Sequence, residues 1–262
     1  MQIYRALRFI LAFYATAIAQ QSGALRPVED ITSEQIVSRL AENNGKRQHL
    51  LRSYTGQREY HLLYTGFPGR HEADLVVEVR YRSPDSKEFT VISESGAHWI
   101  VNRVFKKILD TEKEAADQRA QASTALTDQN YKFELLGEED VDGRPAYVFH
   151  VDPKTDNRLL YRGRIWVDAA DFALCKIEGE PAKRPSMWIS KIQVHHSYEK
   201  IGDFWLPVDN ESDTEVRLGG HAALSIHYRD YSVISEDGSP ALSTPAEPAK
   251  QAAKLVNSRH SH

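Results

Sequence analysis

From Tyr131 to about Val233 the chain is an almost unbroken succession of strand patterns separated by tight turns, and this succession limits what it can fold into. Strand character appears at Tyr131 to Leu136, Pro145 to Val151, Leu159 to Val167, Ala173 to Glu178, Ile189 to Ile201, Phe204 to Val208 with an extension toward Val216, and Ala222 to Tyr231. The turns between them carry residues that accept hairpin geometry: Asp142-Gly143, Asp168 to Asp171, Gly202-Asp203 and Gly219-Gly220. Parallel neighbours would need crossovers of about a dozen residues, for which these short connections leave no room. The expected topology is therefore a consecutive antiparallel meander.

Three more alternating segments precede it, around Tyr60 to Tyr64, Leu75 to Tyr81 and Glu88 to Ser93. In the clearest, Leu75, Val77, Val79 and Tyr81 face one way while Glu78 and Arg80 face the other. About ten strands in all favour a barrel or a strongly curled sheet over a flat one. Two helices are expected beside them. Thr32 with Gln35 forms a capping-box pattern ahead of Ile36, Val37 and Leu40, and the helix should end near Asn44-Gly45, with a continuation toward Leu50 and Leu51 left open. From Trp99 to about Ser123 a second helix places Ile100, Val101, Val104, Phe105, Ile108 and Leu109 on one apolar stripe. Its continuation from Asp110 to Gln121 is charged, polar or Ala, so that half should project into solvent. The predicted fold class is thus mainly β (α+β): an incomplete curved antiparallel β-barrel of about ten strands with helices covering the concave face.

At the N-terminus, Arg5 and Arg8 precede an apolar run from Phe9 to Ile18 and the small residues Ala17 and Ala19, the pattern of a secretory signal peptide over residues 1–19, cleaved after Ala19. The run is shorter than the roughly 20 residues a membrane span needs. Its loss with Arg5 and Arg8 leaves 31 basic against 37 acidic residues, a formal charge of −6 in place of −4. An acidic exported product is not a nucleic-acid binder. The single Cys175 cannot form an internal bridge, and its strand setting, with Ala173 and Ile177 on its own face, reads as a buried inert thiol. Past Ile234 the chain turns to Ser, Pro, Ala, Glu and Lys, a composition expected to leave residues 235–262 a disordered tail.

No Gly-x-Ser-x-Gly elbow, phosphate loop, dinucleotide fingerprint or His-Glu-x-x-His helix occurs. His71-Glu72-Ala73-Asp74 lacks a second His one helical turn on, and the adjacent His195 and His196 must face opposite sides of a strand. Asp168 and Asp171 fit a turn whose carboxylates bond local backbone donors. The chain is therefore expected to be a binding protein and not an enzyme, with no catalytic residue, metal or cofactor assigned. Many strands are instead apolar on both faces, as Tyr147, Phe149 and Val151 alternate with Val148, and Trp166 lies opposite Ile165 and Val167. A curved sheet with few helices has limited protein to fill its concave side, and lipid is the common alternative filling.

Four phrases occur in succession: Tyr161-Arg162-Gly163-Arg164-Ile165-Trp166-Val167-Asp168, Cys175-Lys176-Ile177-Glu178-Gly179-Glu180-Pro181, Tyr198 to Pro207 with Trp205-Leu206-Pro207 after a Gly turn, and Leu224 to Tyr231. This run resembles the C-terminal half of bacterial outer-membrane lipoprotein-sorting proteins of the LolA/LolB-like superfamily, with a likeness extending over a domain of residues 31–234. The resemblance implies an incomplete barrel closed by helices, a periplasmic location, and a carrier of lipid or lipoprotein acyl chains toward the outer membrane, served by a membrane donor or acceptor protein. On that reading Ile100, Val104, Phe105, Ile108, Phe149 and Trp166 line or cover the cavity. Two rival readings stand beside it: a periplasmic sensor or regulator on the same scaffold whose protein contact responds to lipid, and a hydrolase or metal-dependent enzyme built on the scattered His and Asp residues.

Overall fold

The computed structural model describes residues 31–241 apart from 185 and 218. Residues 1–30, which include the expected signal peptide, and residues 242–262, most of the expected tail, lie outside the described residues. Helix α1 (Ser33–Leu50) is followed by strands β1 (Leu51–Thr65), β2 (His71–Arg82) and β3 (Ser86–Gly96). A π-helical turn (Ile100–Phe105) then leads into α2 (Lys106–Ala116) and α3 (Gln118–Thr124). The meander comprises β4 (Tyr131–Val141), β5 (Arg144–Pro153), β6 (Tyr161–Asp168), β7 (Leu174–Pro181), β8 (Ile189–Ile201), β9 (Phe204–Val216) and β10 (Gly220–Ser235), with a short β11 (Pro240–Ala241).

All strands form one antiparallel sheet in the order β3-β2-β1-β10-β9-β8-β7-β6-β5-β4, with β11 paired to β10. The sheet is curved and open, as an incomplete barrel should be. Its order has one topological consequence: β3 and β4 are neighbours in sequence but stand at opposite edges. The segment joining them must cross the sheet, and that crossover carries the π-helical turn, α2 and α3. At the β6–β7 pair, Gly163 and Gly179 stand opposite one another. A Cβ on Gly179 would meet the Arg162 carbonyl oxygen at 2.1 Å and one on Gly163 the Glu178 carbonyl oxygen at 2.3 Å, so only glycine lets the two backbones approach this closely.

Both helices differ from their expected form for local reasons. Thr32 and Gln35 make the reciprocal capping box, at 3.3 and 3.1 Å, but Asn43-Asn44-Gly45 does not stop α1. Asn43 donates to the Asp171 carbonyl at 3.0 Å, and Arg47, one turn later, donates to the carbonyls of Asp171 and Phe172. Tertiary docking carries the helix past its own stop signal. The single long helix from Trp99 is three pieces: a π-helical turn that keeps Ile100, Val101 and Phe105 buried, then α2, then a break at Asp117. Asp117 is extended (φ −60°, ψ 138°) and its carboxylate caps α3 through the N–H groups of Arg119 and Ala120. The polar half is not wholly solvated either. Glu112 turns inward to Arg58 and Lys87, and Ala116 is buried. At the C-terminal side the sheet outlasts the expected tail boundary: β10 ends at Ser235, and Pro240 and Ala241 pair with Ile234 and Val233 after a turn held by Asp237.

Arg58 is 2% exposed and donates to Glu112; Lys87 Nζ reaches the same carboxylate at 3.1 Å, and the Tyr60 hydroxyl donates to its other oxygen at 3.1 Å. Burial opposes ionisation of Glu112, but Arg58 and Lys87 outweigh it and hold the carboxyl down at about 2. The guanidinium lies over the Tyr228 ring at 4.7 Å and the Phe89 ring at 5.4 Å. This cluster fastens α2 to β1 and β3. Glu112→Gln leaves Arg58 buried without its counter-charge and should lower unfolding free energy by about 3–5 kcal/mol. The double change Arg58→Met with Glu112→Leu should cost less than the single one, measured by chemical denaturation.

Candidate concave binding face

Register fixes which side chains share the helix-covered face. Ile177 pairs with His196, His196 with Asn210, Asn210 with Ile226, Ile226 with Tyr60, and Tyr60 with Leu75. One continuous face therefore runs from β2 to β7, and through Ile165 and Phe149 to β5. Its two flanks are closed. On one, Ile100, Val101 and Phe105 pack with Tyr60, Leu62, Leu75, Val77 and Ile226, flanked by Val104 and Ile108. On the other, Ile36, Val37 and Leu40 of α1 cover Phe149, Val151, Ile165, Val167 and Ile177.

Between the flanks the face is lined but not sealed. Tyr161, His196, Tyr198, Asn210, Ser212, Leu224 and Tyr228 are all half-buried, in contrast to the nearly solvent-free flanks. Their surroundings also shift their proton affinities. Burial pushes the Tyr161 hydroxyl up to about 12 and those of Tyr198 and Tyr228 higher still, and it pushes His196 down to about 4 against the partial opposition of Glu112. The Tyr161 and His196 rings meet edge to face at 5.2 Å. Tyr131 at the margin accepts from the Tyr161 N–H at 3.3 Å, and its hydroxyl is also raised to about 12 by burial. The strip thus combines partial exposure to water with burial strong enough to act on its phenol and imidazole groups.

The six residues expected to form one cavity fall into three places. Ile100, Val104, Phe105 and Ile108 come together in the crossover flank, and Phe149 lies under α1. Trp166 faces the other side of the sheet with Ala146 and Val148. There its indole N–H donates to Glu139 at 2.6 Å, and Arg164 and Lys176 cover its ring at 4.9 and 4.5 Å. Cys175 is buried, as expected, but on the Trp166 face and not beside Ile177. A bulge between the Trp166–Lys176 and Val167–Leu174 pairs inserts it as an extra residue and reverses its direction. It donates to the Trp166 carbonyl at 3.3 Å, and burial pushes the thiol up to about 12, which removes its nucleophilicity at neutral pH.

Asp168 caps its own turn: it accepts from the N–H groups of Ala170 and Asp171 at 3.1 and 2.7 Å and binds Arg144 through both oxygens. Among the described residues no three or more His, Cys, Asp or Glu converge as metal ligands. The inner-face residues that sequence reasoning did not single out are Tyr161, Tyr198 and Tyr228, with Arg58 and Glu112; His196 entered it only as one of two adjacent histidines facing opposite sides of a strand. Each of the three tyrosines stands in a phrase carrying the family resemblance, on alternate positions of β6, β8 and β10, and that alternation was the available signal.

An open antiparallel sheet with an edge-to-edge helical crossover defines the fold class of this protein. More particularly, residues 75–178, from β2 to β7, match the family model of the MucB/RseB N-terminal domain. Similar solved structures include a putative outer membrane lipoprotein-sorting protein domain from Vibrio parahaemolyticus (12% identity, 84% of this chain and 97% of that one, TM-score 0.42). Others are a LolA superfamily protein from Nitrosomonas europaea (13%, 84% and 97%, 0.32) and the MucA/MucB complex of Pseudomonas aeruginosa (14%, 82% and 99%, 0.23). No curated protein matches the chain.

His196 provides a test of the strip's depth. Its folded value, about 4, lies below the ordinary 6.5, so between these values the unfolded chain binds the proton more readily and stability falls as pH falls. Glu112, also depressed, adds a loss from about pH 4.5 toward 2. Denaturation midpoints should therefore drop between pH 6.5 and 4 in the native protein, and the drop should be smaller in His196→Phe.

Proposed function

We propose that this is an exported, periplasmic protein that binds lipid or the acyl chains of lipoproteins on the inner face of its sheet, as a carrier and with no bond made or broken. The observation that carries this reading is the half-open strip of Tyr161, His196, Tyr198, Leu224 and Tyr228 between two closed flanks. A fully packed core has no such strip, and one lined by rings and aliphatic carbons suits a chain of methylenes. Burying about a dozen methylenes is worth roughly 10 kcal/mol at about 0.8 kcal/mol each. Release then needs a competing membrane or protein. The carrier would pass its cargo toward the outer membrane through a membrane donor or acceptor.

A regulatory reading is favoured by one specific finding, the match of residues 75–178 to the MucB/RseB N-terminal domain. MucB is seen in complex with MucA. On that reading the same lipid strip would govern binding of a protein partner, and cargo transport would not be needed. The two share the binding event and differ in its outcome.

Mass spectrometry of an organic extract from gently purified protein should recover lipid, and a fluorescent fatty acid should bind and be displaced by it. Ser212 sits on the inner face opposite Leu224. Ser212→Trp should fill the strip and weaken fatty-acid binding by about tenfold or more, the loss of a few buried methylenes. A protein free of lipid that binds no fatty acid would sink the proposal.

A further inference from the structure

Four large apolar side chains stand in solvent at one end of the sheet: Phe67 is 89% exposed, Met187 77%, Trp188 59% and Trp99 41%. They belong to three separate connections, yet the structure joins those connections into one rim. Trp99 packs edge-on against Tyr64 and His71 at 5.8 and 5.9 Å, and the Tyr64 hydroxyl donates to the Phe67 carbonyl at 2.9 Å. Thr65 pairs with His221, Gly220 with Val216, and Val216 with Ile189, while the Arg217 N–H donates to the Trp188 carbonyl at 2.8 Å. Exposure of this much aromatic surface at the tips of linked loops is not the scatter of single apolar residues found on any protein.

The charge of the same loops is one-sided. Residues 66–70, 97–99 and 182–188, with the adjoining turn 217–219, contain Arg70, Lys183, Arg184 and Arg217 and no Asp or Glu, in a chain whose formal charge is −4. All four basic residues are exposed. Two acids border these segments: Glu72 at the start of β2, which reaches Arg70 at 3.6 Å in an exposed pair that contributes little, and the exposed Glu215 near the end of β9. Aromatic rings flanked by Lys and Arg are the composition that settles at a lipid headgroup boundary, with the rings at the acyl margin and the cations on anionic headgroups. A protein partner would call for shape and hydrogen-bond complementarity. A bilayer asks only for apolar tips in a common rim with cations around them.

We propose that this rim docks the protein on an anionic lipid bilayer, with Phe67, Met187, Trp188 and Trp99 entering the headgroup region. The surface is distinct from the inner-face strip, so the two can fail separately. A shallow hollow of about 660 Å³ between the loops, lined by Thr65, Gly66, Glu215, Arg217 and Gly220 among others, leaves room for headgroups between the aromatic tips.

The full chain would be sedimented with vesicles of phosphatidylcholine alone and of phosphatidylcholine mixed with phosphatidylglycerol, with tryptophan fluorescence read in parallel. The native protein should bind the mixed vesicles about tenfold more tightly and show a blue shift that Trp188→Phe reduces. The pair Phe67→Ser with Trp188→Ser should lower binding to mixed vesicles by about tenfold, against an unchanged control at the opposite end, Ile234→Ser. Lys183→Gln with Arg184→Gln and Arg217→Gln should abolish the preference for anionic lipid. Ser212→Trp, which blocks the strip, should bind vesicles as the native chain does. Equal binding to both vesicle types, binding unaltered by Phe67→Ser with Trp188→Ser, or a rim engaged only in self-association by sedimentation would each overturn the proposal.

Discussion

The buried contact of Arg58 with Glu112 is the constraint on which the architecture turns. A sheet that starts at β3 and ends at β4 on opposite edges obliges the chain to cross its own concave face, and a crossover needs something to hold it down. The apolar stripe of Ile100, Val101 and Phe105 supplies the adhesion, but apolar contact alone does not fix register along a strand. Glu112 does, because its carboxylate has one place where a guanidinium, an ammonium and a phenol all reach it. Such a cluster adds little net stability over an apolar substitute, since both charges leave water. Its effect is to make every other placement of α2 worse.

Fixing the crossover on the β1–β2 side decides what happens in the middle of the face. The π-helical turn and α2 reach as far as Tyr228, while α1, tied to the β6–β7 turn through Asn43 and Arg47, covers the far side. On β8 and β9 between them the inner residues are mixed: Ser212, Asn210, His196 and Tyr198 are half-buried, while Val194 and Thr214 are buried. Polar groups there keep contact with water and so need no partner inside the protein.

Much of this organisation was legible in the chain itself. Hairpin turns at Asp142-Gly143 and Gly202-Asp203 and the alternation at Leu75 to Tyr81 determine strands and their order, because both are local signals. The capping box at Thr32 placed the start of α1 correctly. What escaped depended on contacts distant in sequence. The end of α1 is decided by Arg47 reaching carbonyls more than a hundred residues away, and the inward turn of Glu112 by Arg58 on another strand. A bulge of one residue sent Cys175 to the face opposite Ile177, since strand parity inverts wherever a residue is inserted. For the same reason of parity, Phe149 and Trp166 could not share a cavity: Phe149 pairs with Ile165, so the next residue along β6 faces away from it. The tyrosines of the strip were visible as letters in three of the four phrases, but only the pairing from β6 through to β10 shows that they share one face.

Access to the strip follows from the same energetics. Swinging α2 away as a lid would separate Glu112 from Arg58 and leave a buried charge unpaired, at a cost of about 3–5 kcal/mol before any apolar contact is broken. That is a large fraction of the stability of an ordinary domain. A ligand entering along the strands, from the end where Trp99, Phe67 and Trp188 stand in solvent, disturbs no such pair. The opposite end is stopped, for Tyr228 also packs against the cluster of Phe204, Leu206, Tyr231 and Val233. If the strip takes an acyl chain, the lower-energy route is therefore endwise from the rim, with the crossover acting as a fixed roof and the rim, set against a bilayer, placing that entrance where acyl chains begin.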